Sequence, residues 1–474
     1  MGSEYVELRC RSAFSFLDGA TLPEDLVEVA ARHGHDTLAL ADRDGVYGAP
    51  RFFGAARKHG LRPIVGAEVT LAGAAPVLVL VENRTGYRNL CRLLTRAKAG
   101  RKKEPSGRPA AGVAMELLAQ HADGLIALGG AAPRNDLPQL LAAFGRDRLY
   151  LEVQRHFNAP QAHACRAAMA QAQAQGIGIV ATNDVRYAVP AQRAVHDVLT
   201  CARHRRTVDE IGRLLACNGE RWLKPTTEMK ALFADLPAAV HATRAIAERC
   251  AFTLADLGYT FPVFDVPAGQ TQQGFLETLT WEGMRTRYRA DDPILPKVRQ
   301  QLMRELAIIG KLELAGYFLV VWDIVRFANE SRIMIQGRGS AANSATCYVL
   351  GITAVDPVKM DLLFERFLSE ERVHSASTVA DRMPDIDLDL PSGDKREAVI
   401  QYVYRKYGAR GAAMTANVIT YRPRMAVRDC GRALGFSEEQ LARISKHVPG
   451  WIHGDEAPMA THLAAAGFPI TDGR

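Results

Sequence analysis

Short apolar runs separated by amphipathic stretches organise the first half of the chain. Thr37–Ala41, Ile64–Leu71, Val77–Val81, Leu125–Leu128, Leu149–Val153 and Ile177–Thr182 read as strands, being brief, apolar and bounded by turn-forming residues. Helical periodicity separates most of them. One such helix is expected to open at Thr21, where Thr-Leu-Pro-Glu forms a capping box with Thr21 as N-cap and Glu24 three residues on. Strand–helix alternation over this length predicts a parallel α/β domain, either a barrel or a doubly wound sheet. Polar residues follow several strands: Asp42, Gln154 to His156, and Asn183 with Asp184, while Glu68 sits within the second run. The C-terminal strand ends of α/β barrels carry chemistry, although Asp and Asn there also serve as plain helix caps.

Around Thr260–Gln273 the pattern breaks into a Pro-, Gly- and Gln-rich stretch that reads as a linker. Long helical patterns follow over Phe275–Tyr288 and Pro296–Leu314, then a Gly-rich turn, an acidic strand and further helices. The final HLAAAGFPITDGR contains no closing element, so the chain is expected to be cut rather than finished. A length of 474 residues corresponds to about three domains at roughly 100–200 residues each.

Composition narrows the class. With 48% apolar and 23% charged residues the chain is globular rather than disordered, and a net charge of +7 makes a polyanionic partner plausible. The eight cysteines include no CxxC pair or zinc-like spacing, and MGSEYVELRC is not a signal segment. The apolar run Tyr317–Val325 includes Asp323 and is too short to span a bilayer. A cytoplasmic protein without a membrane partner is the expectation.

The most informative segment is Met383–Leu390, MPDIDLDL. Strict alternation puts Asp385, Asp387 and Asp389 on one face of a strand and Ile386, Leu388 and Leu390 on the other. Carboxylates at i and i+2 point the same way and can share a divalent ion. Paired Mg²⁺ ions are the usual machinery of nucleotidyl transfer, whereas a solvated acidic face on an edge strand is the plainer reading. Upstream lies QGRGSAANS, Gln336–Ser344, between the apolar run Ile333–Ile335 and a helical stretch. Its glycines admit an anion close to the backbone, Arg338 adds a fixed charge and Ser340 a hydroxyl. Alone it is a common strand-to-helix turn; beside an acidic strand it describes a nucleotidyltransferase palm.

QGRGSAANSATCYVLGITAVDP, DLLFERFLSEER, MPDIDLDL and TANVITYRPRMAVRDCGRALG, in that order, resemble the palm and thumb of the bacterial C-family DNA polymerases, the family of the DNA polymerase III alpha subunit. The wording QGRGSAANSA and the run from VIQYVYRKYG to VITYRPR resemble the error-prone branch. The first half, from YVELRCRSAFSFLDGA to TNDVRY, is similar to that family's PHP (polymerase and histidinol phosphatase) domain. The resemblance implies an N-terminal PHP-type β/α barrel over 1–258, a nucleotidyltransferase-like α+β palm over 259–405, and a helical thumb segment over 406–474. It implies that Asp385 and Asp387 hold two Mg²⁺ ions, that Arg338, Gly339 and Ser340 receive the incoming triphosphate, and that a third aspartate belongs to a later palm strand, absent before Arg474. A fragment inactive by itself is therefore expected. Primer–template DNA and dNTPs are the implied substrates in DNA repair and damage tolerance, with a sliding clamp and accessory mutagenesis proteins bound through a missing C-terminal part.

The PHP half departs from the family's pattern. Its His-x-His pair is replaced by Arg9 and Arg11, its Asp-His by Asp42-Arg43, and its Asp-x-His by Asp184-Val185-Arg186; Glu68 and His156 also occupy site positions. Arginine offers a metal no lone pair, so no PHP metal is expected and an Arg–carboxylate cluster is expected instead.

Two stretches are strongly basic. Arg92–Arg108 holds seven Lys/Arg against Glu104, and Arg405–Arg432 holds seven against Asp429, interleaved with Tyr404, Tyr407 and Tyr421. The first reads as a solvated loop as readily as a DNA contact. In the second, Arg405, Lys406, Arg422, Arg424 and Arg428 are candidates for sequence-independent phosphate contacts. Two competing readings are a non-catalytic DNA-binding or scaffold remnant and a PHP-type metallophosphoesterase, which would need histidines where the arginines stand.

Overall fold

A computed structural model describes residues 4–99, 112–257, 263–368, 384–415, 417–449 and 459–468. The chain divides into two compact units, one formed by Met1–Leu257 with Val418–Arg474 and the other by Gly258–Asn417. In the first, strands β1 (Glu7–Cys10), β2 (Thr37–Arg43), β3 (Arg62–Val69), β4 (Val77–Val81), β5 (Leu125–Leu128), β6 (Leu149–Val153) and β7 (Gly178–Ala181) form a seven-stranded sheet in chain order. The strands are largely apolar because both faces are covered, with Glu7 and Arg9 in β1, Asp42 in β2, Glu68 in β3 and Glu152 in β6 as buried exceptions. One face packs around Val79, Leu93, Leu125, Leu149 and Phe144, the other around Leu8, Ala39, Ile64, Leu80 and Ile246.

The expected all-parallel sheet needs one correction. β4 runs antiparallel to both β3 and β5, while the other neighbours are parallel. The connection from β3 to β4 holds no helix and is too short for a parallel crossover, which takes about a dozen residues or more. The curled sheet is drawn together by a parallel bridge between Cys10 and Val185. There the Arg11 N–H donates to the Val185 carbonyl at 3.0 Å, and the Val185 N–H to the Arg9 carbonyl at 2.8 Å.

The expected capping box at Thr21 is also corrected. The helix is Pro23–Arg32, with Leu22 at the N-cap and no side-chain cap; proline in its first turn already supplies a suitable φ. The Thr21 hydroxyl instead donates to Gln192 Oε1 at 2.6 Å and accepts from the Ala188 N–H at 2.9 Å, while Glu24 receives both arms of Arg51.

The second unit is mainly helical. Helices Gln272–Arg287, Leu295–Lys311 and Ala315–Glu330 enclose a core that includes Leu276, Leu306, Ile309, Phe318, Leu319, Phe364 and Phe367. Against it lies a two-stranded sheet of β8 (Gln336–Arg338) and β9 (Asp387–Asp389), antiparallel with Arg338 opposite Asp387. Helix Asp394–Gly411, interrupted at Gly408, follows β9.

Beyond Val418, helices Pro423–Ala433 and Glu438–His447 belong to the first unit. Ala433 packs there against Cys201 and Ile211. No described helix is long and apolar enough to cross a membrane. Residues 100–108 of the first basic stretch lie outside the described residues, as do residues 260–262 of the expected linker and Met383.

Candidate functional site

The palm-like site is built where β8 runs into its turn. Gly337 is pressed against the chain at Ile352: its N–H donates to that carbonyl at 2.6 Å, and a Cβ would sit 2.6 Å from the same oxygen. Gly339 begins the turn at φ +68°, a left-handed conformation that favours glycine. The turn Gly339–Asn343 leads into helix Ala345–Val349, capped by the Ser344 hydroxyl.

Under this turn lies a carboxylate that sequence reasoning missed. Glu305 is fully buried and accepts from the Ser344 hydroxyl at 2.8 Å, from the Ala345 and Thr346 N–H groups at 2.9 Å each, and from Gln301 at 2.9 Å. Burial raises its pKa against these donors. Sequence offers no cue beyond a glutamate on the apolar face of a helix.

β9 shows the expected alternation in its packing. Ile386 and Leu388 lie against the unit's core and Leu390 against Ala328, Ile333 and Val399. Asp385 is exposed and precedes the paired strand; its carbonyl accepts from the Ser340 hydroxyl at 3.2 Å, and the Ile386 N–H donates to the Tyr317 hydroxyl at 3.1 Å. Arg338 donates to Asp389 Oδ1 at 3.0 Å and stands 3.6 Å from Asp387 Oδ2. Arg338, Gly339, Ser340, Asp385 and Asp387 are thus brought together. The donor set, two accessible carboxylates of hard oxygen beside an anion-friendly turn, fits a divalent ion such as Mg²⁺. Asp389 is taken by Arg338.

The barrel mouth holds a second constellation. Arg9 donates to Asp184 at 3.0 Å, to Glu152 at 2.7 Å and to Glu68. Arg11 donates to Asp18 at 2.7 Å and to Glu68. Arg43 reaches Asp18 at 2.9 Å, and Arg186 bridges Asp184 at 3.0 Å and Asp18 at 2.5 Å. Burial alone would raise the carboxyls of Asp18 and Glu68. The guanidiniums overcome it, lowering Glu68 to about 2 and Asp18 far below its usual range.

Two expected members are placed differently. Asp42 is satisfied by the Ser12 N–H and hydroxyl at 2.8 Å each and the Ser15 hydroxyl at 2.7 Å, not by a guanidinium fork; burial raises it to about 6. His156 is held by hydrogen bonds: its Nε2 lies 3.0 Å from the Asn183 carbonyl and its Nδ1 2.8 Å from Gln161 Nε2, and burial lowers its pKa to about 4. Sequence reasoning missed Asp18, Glu152, Arg203 and Arg221. Arg203 donates to Asp18 at 3.0 Å and Arg221 to Asp184. None follows a recognised strand motif except Glu152, hidden in the apolar run of β6. Among the described residues no group of three His, Cys, Asp or Glu side chains could hold a metal.

Of the basic candidates, Arg405, Arg422, Arg424 and Arg428 are exposed, with Arg424 also donating to the Val448 carbonyl at 3.0 Å. Lys406 is engaged by Asp323 at 2.6 Å.

Residues 274–466 match the family model of the bacterial DNA polymerase III alpha NTPase domain, and residues 7–138 match that of the PHP domain. Curated relatives include the error-prone DNA polymerase of Mycolicibacterium paratuberculosis, 43% identical over 96% of this chain and 43% of the relative. That of Anaeromyxobacter sp. is 39% identical over 99% of this chain and 48% of the relative, and that of Rhodopirellula baltica 39% identical over 96% and 40%. The chain spans less than half the length of these relatives.

Proposed function

The chain belongs to the bacterial DNA polymerase III alpha family, and we propose that it forms part of a template-directed, error-prone DNA polymerase whose catalytic metal ions are held by Asp385 and Asp387. The observation that carries this reading is the pairing of β8 with β9, which sets Arg338 opposite Asp387 and the Gly339–Ser340 turn beside the acidic strand. Phosphate donors and metal-binding carboxylates then face the same substrate.

In this reading the Gly339–Ser340 turn receives the triphosphate of a dNTP through backbone N–H groups and the Ser340 hydroxyl. Arg338 turns from the β9 carboxylates to the phosphates, exchanging one anion for another. Tyr317 holds the backbone of Ile386 so that Asp385 and Asp387 keep their spacing. Divalent ions bound there, Mg²⁺ by the chemistry of the ligands, would lower the pKa of the primer 3′-hydroxyl and offset charge at the α-phosphate. Arg405, Arg422, Arg424 and Arg428 grip the backbone of primer–template DNA without reading sequence. We place a third carboxylate, and the contacts with a sliding clamp and accessory mutagenesis proteins, outside this chain, which then does not polymerise alone. Damage tolerance in the cytoplasm is the corresponding role.

The test is primer extension by a protein in which this chain is continued to the length of its relatives, against Asp385→Ala/Asp387→Ala. Mg²⁺-dependent incorporation lost in the double variant is expected. A folded, DNA-binding wild type without incorporation would leave a scaffold instead.

A further inference from the structure

Helix Ala345–Val349, which follows the Gly339–Asn343 turn, is five residues long and already has a cap, the Ser344 hydroxyl accepting from the Cys347 N–H at 3.1 Å. A buried carboxylate stands at its start as well. Glu305, from helix Leu295–Lys311, is 0% exposed and meets four donors, two on each oxygen. Oε1 accepts from the Ala345 N–H and Gln301 at 2.9 Å each, and Oε2 from the Thr346 N–H at 2.9 Å and the Ser344 hydroxyl at 2.8 Å. Desolvating a charge is costly even when it is well paired. A second, buried anion is more than a capped five-residue helix needs.

Ser344, which Glu305 fixes, and its neighbour Asn343 hold the turn in their own right. The Ser344 N–H donates to the Ala341 carbonyl at 3.2 Å, and the Asn343 side chain donates to the Ser340 carbonyl at 3.1 Å. Past the far end of the helix the chain returns through Ile352, whose carbonyl accepts the Gly337 N–H at 2.6 Å. A Cβ at Gly283 would overlap the Val349 carbonyl, so helix Gln272–Arg287 closes on that end and leaves the short helix little room to shift. One carboxylate therefore bears on both flanks of Gly339 and Ser340, directly through Ser344 and, by way of the helix, at Gly337.

We propose that Glu305 is a positioning residue for the incoming nucleotide: without touching substrate, it sets the backbone of the Gly339–Ser340 turn on which the triphosphate is received. The role rests on the reading of that turn as the triphosphate site. Only a carboxylate fills the place. Each of its oxygens accepts one backbone N–H, so a glutamine in either orientation turns its NH₂ group on the N–H of Ala345 or of Thr346. The near-isosteric Glu305→Gln then displaces the start of the helix, and with it Ser344 and the turn. Phosphate contacts depend on that backbone being held in place, and a small displacement there weakens nucleotide binding before it touches anything else.

The test is steady-state primer extension by a protein in which this chain is continued to the length of its relatives, with dNTP and primer–template varied separately. In Glu305→Gln the KM for dNTP is expected to rise about tenfold, while the KM for primer–template stays within about twofold of wild type. Ser344→Ala breaks the hydroxyl link to Oε2 and keeps the carboxylate. It should raise the dNTP KM about threefold, and it decides the outcome if Glu305→Gln does not fold. Leu276→Ala, in the core of the same unit, should lower the melting temperature without moving the dNTP KM. A folded Glu305→Gln protein with an unchanged dNTP KM overturns the role, as does a loss confined to kcat. A rise in Leu276→Ala as large as that in Glu305→Gln overturns it too, since lowered stability would then suffice. Wild-type protein without incorporation overturns the polymerase reading and this role with it, whereas the preceding outcomes, seen beside an active wild type, overturn the role alone.

Discussion

Lys406 places its ammonium 2.6 Å from Oδ1 of Asp323, a carboxylate whose side chain is 1% exposed. Asp323 also accepts from Arg326 at 2.9 Å, Tyr402 at 2.7 Å and Tyr407 at 3.1 Å. One buried acid therefore ties helix Ala315–Glu330 to helix Asp394–Gly411, the helix that follows the acidic strand. Burial opposes its charge, and the donors from Lys406, Arg326 and Tyr402 together hold its pKa below the usual value.

Lys406→Ala should consequently act on folding. Loss of one partner of a buried carboxylate, with the others retained, is expected to cost about 1–3 kcal/mol in urea denaturation. A lysine serving only as a phosphate contact would leave stability unchanged and reduce the salt dependence of DNA binding. An unaltered denaturation midpoint would refute the structural role.

Arg338→Ala should behave in the opposite way. Its ion pairs with Asp387 and Asp389 are about half exposed, and such pairs contribute about 0–1 kcal/mol. Stability should barely move, while Mg²⁺–dNTP binding, followed by fluorescence of a labelled nucleotide, should fall by about tenfold. Equal affinity in the variant would remove Arg338 from the triphosphate site.

Acid should weaken the barrel over a defined window. Glu68, with an ordinary pKa of 4.5, is lowered to about 2 because Arg9, Arg11 and Arg186 outweigh its burial. A carboxylate depressed in the folded state contributes stability that is complete above its unfolded pKa and lost as pH falls through the folded one. The contribution, on the order of 3 kcal/mol, should thus disappear between about pH 4.5 and pH 2. Glu68→Gln should flatten the stability profile in that interval and lower stability at neutral pH. An unchanged acid limb would show that Glu68 is not what the guanidiniums stabilise.

Chelation should leave the barrel intact. Arg9, Arg11 and Arg186 fill the mouth with donors to Glu68, Asp18 and Asp184, so the folded state gains nothing from a bound cation there. EDTA should not shift the melting temperature of this chain, and elemental analysis should find less than stoichiometric Zn or Mn. A metal bound one to one with the barrel would contradict this.

Sequence by itself determined the local features of this protein. Apolar runs located β2 through β7, because a strand buried on both faces is mostly apolar, Glu68 and Glu152 being buried charges that those runs conceal. Alternation in MPDIDLDL set Ile386 and Leu388 apart from the aspartates, because successive strand residues point to opposite sides. The arginines at positions 9, 11, 43 and 186 announced a changed site once the resemblance to PHP domains had marked those positions as metal-ligating, since arginine does not ligate metal.

Tertiary structure decided the partners. Nothing near Asp18 in sequence indicates that it gathers Arg11, Arg43, Arg186 and Arg203, for those contacts exist only once the sheet has curled and Cys10 has met Val185. Asp42 and Asp184 look alike as strand-end acids, yet one is held by serine hydroxyls and the other by guanidiniums. Lys406 reads as one more cation in a basic stretch until helix packing brings it to Asp323. A side chain's charge is fixed by its type. The group that answers that charge is fixed by the long-range folding of the chain, because a buried ion must find its counterpart wherever the backbone delivers one.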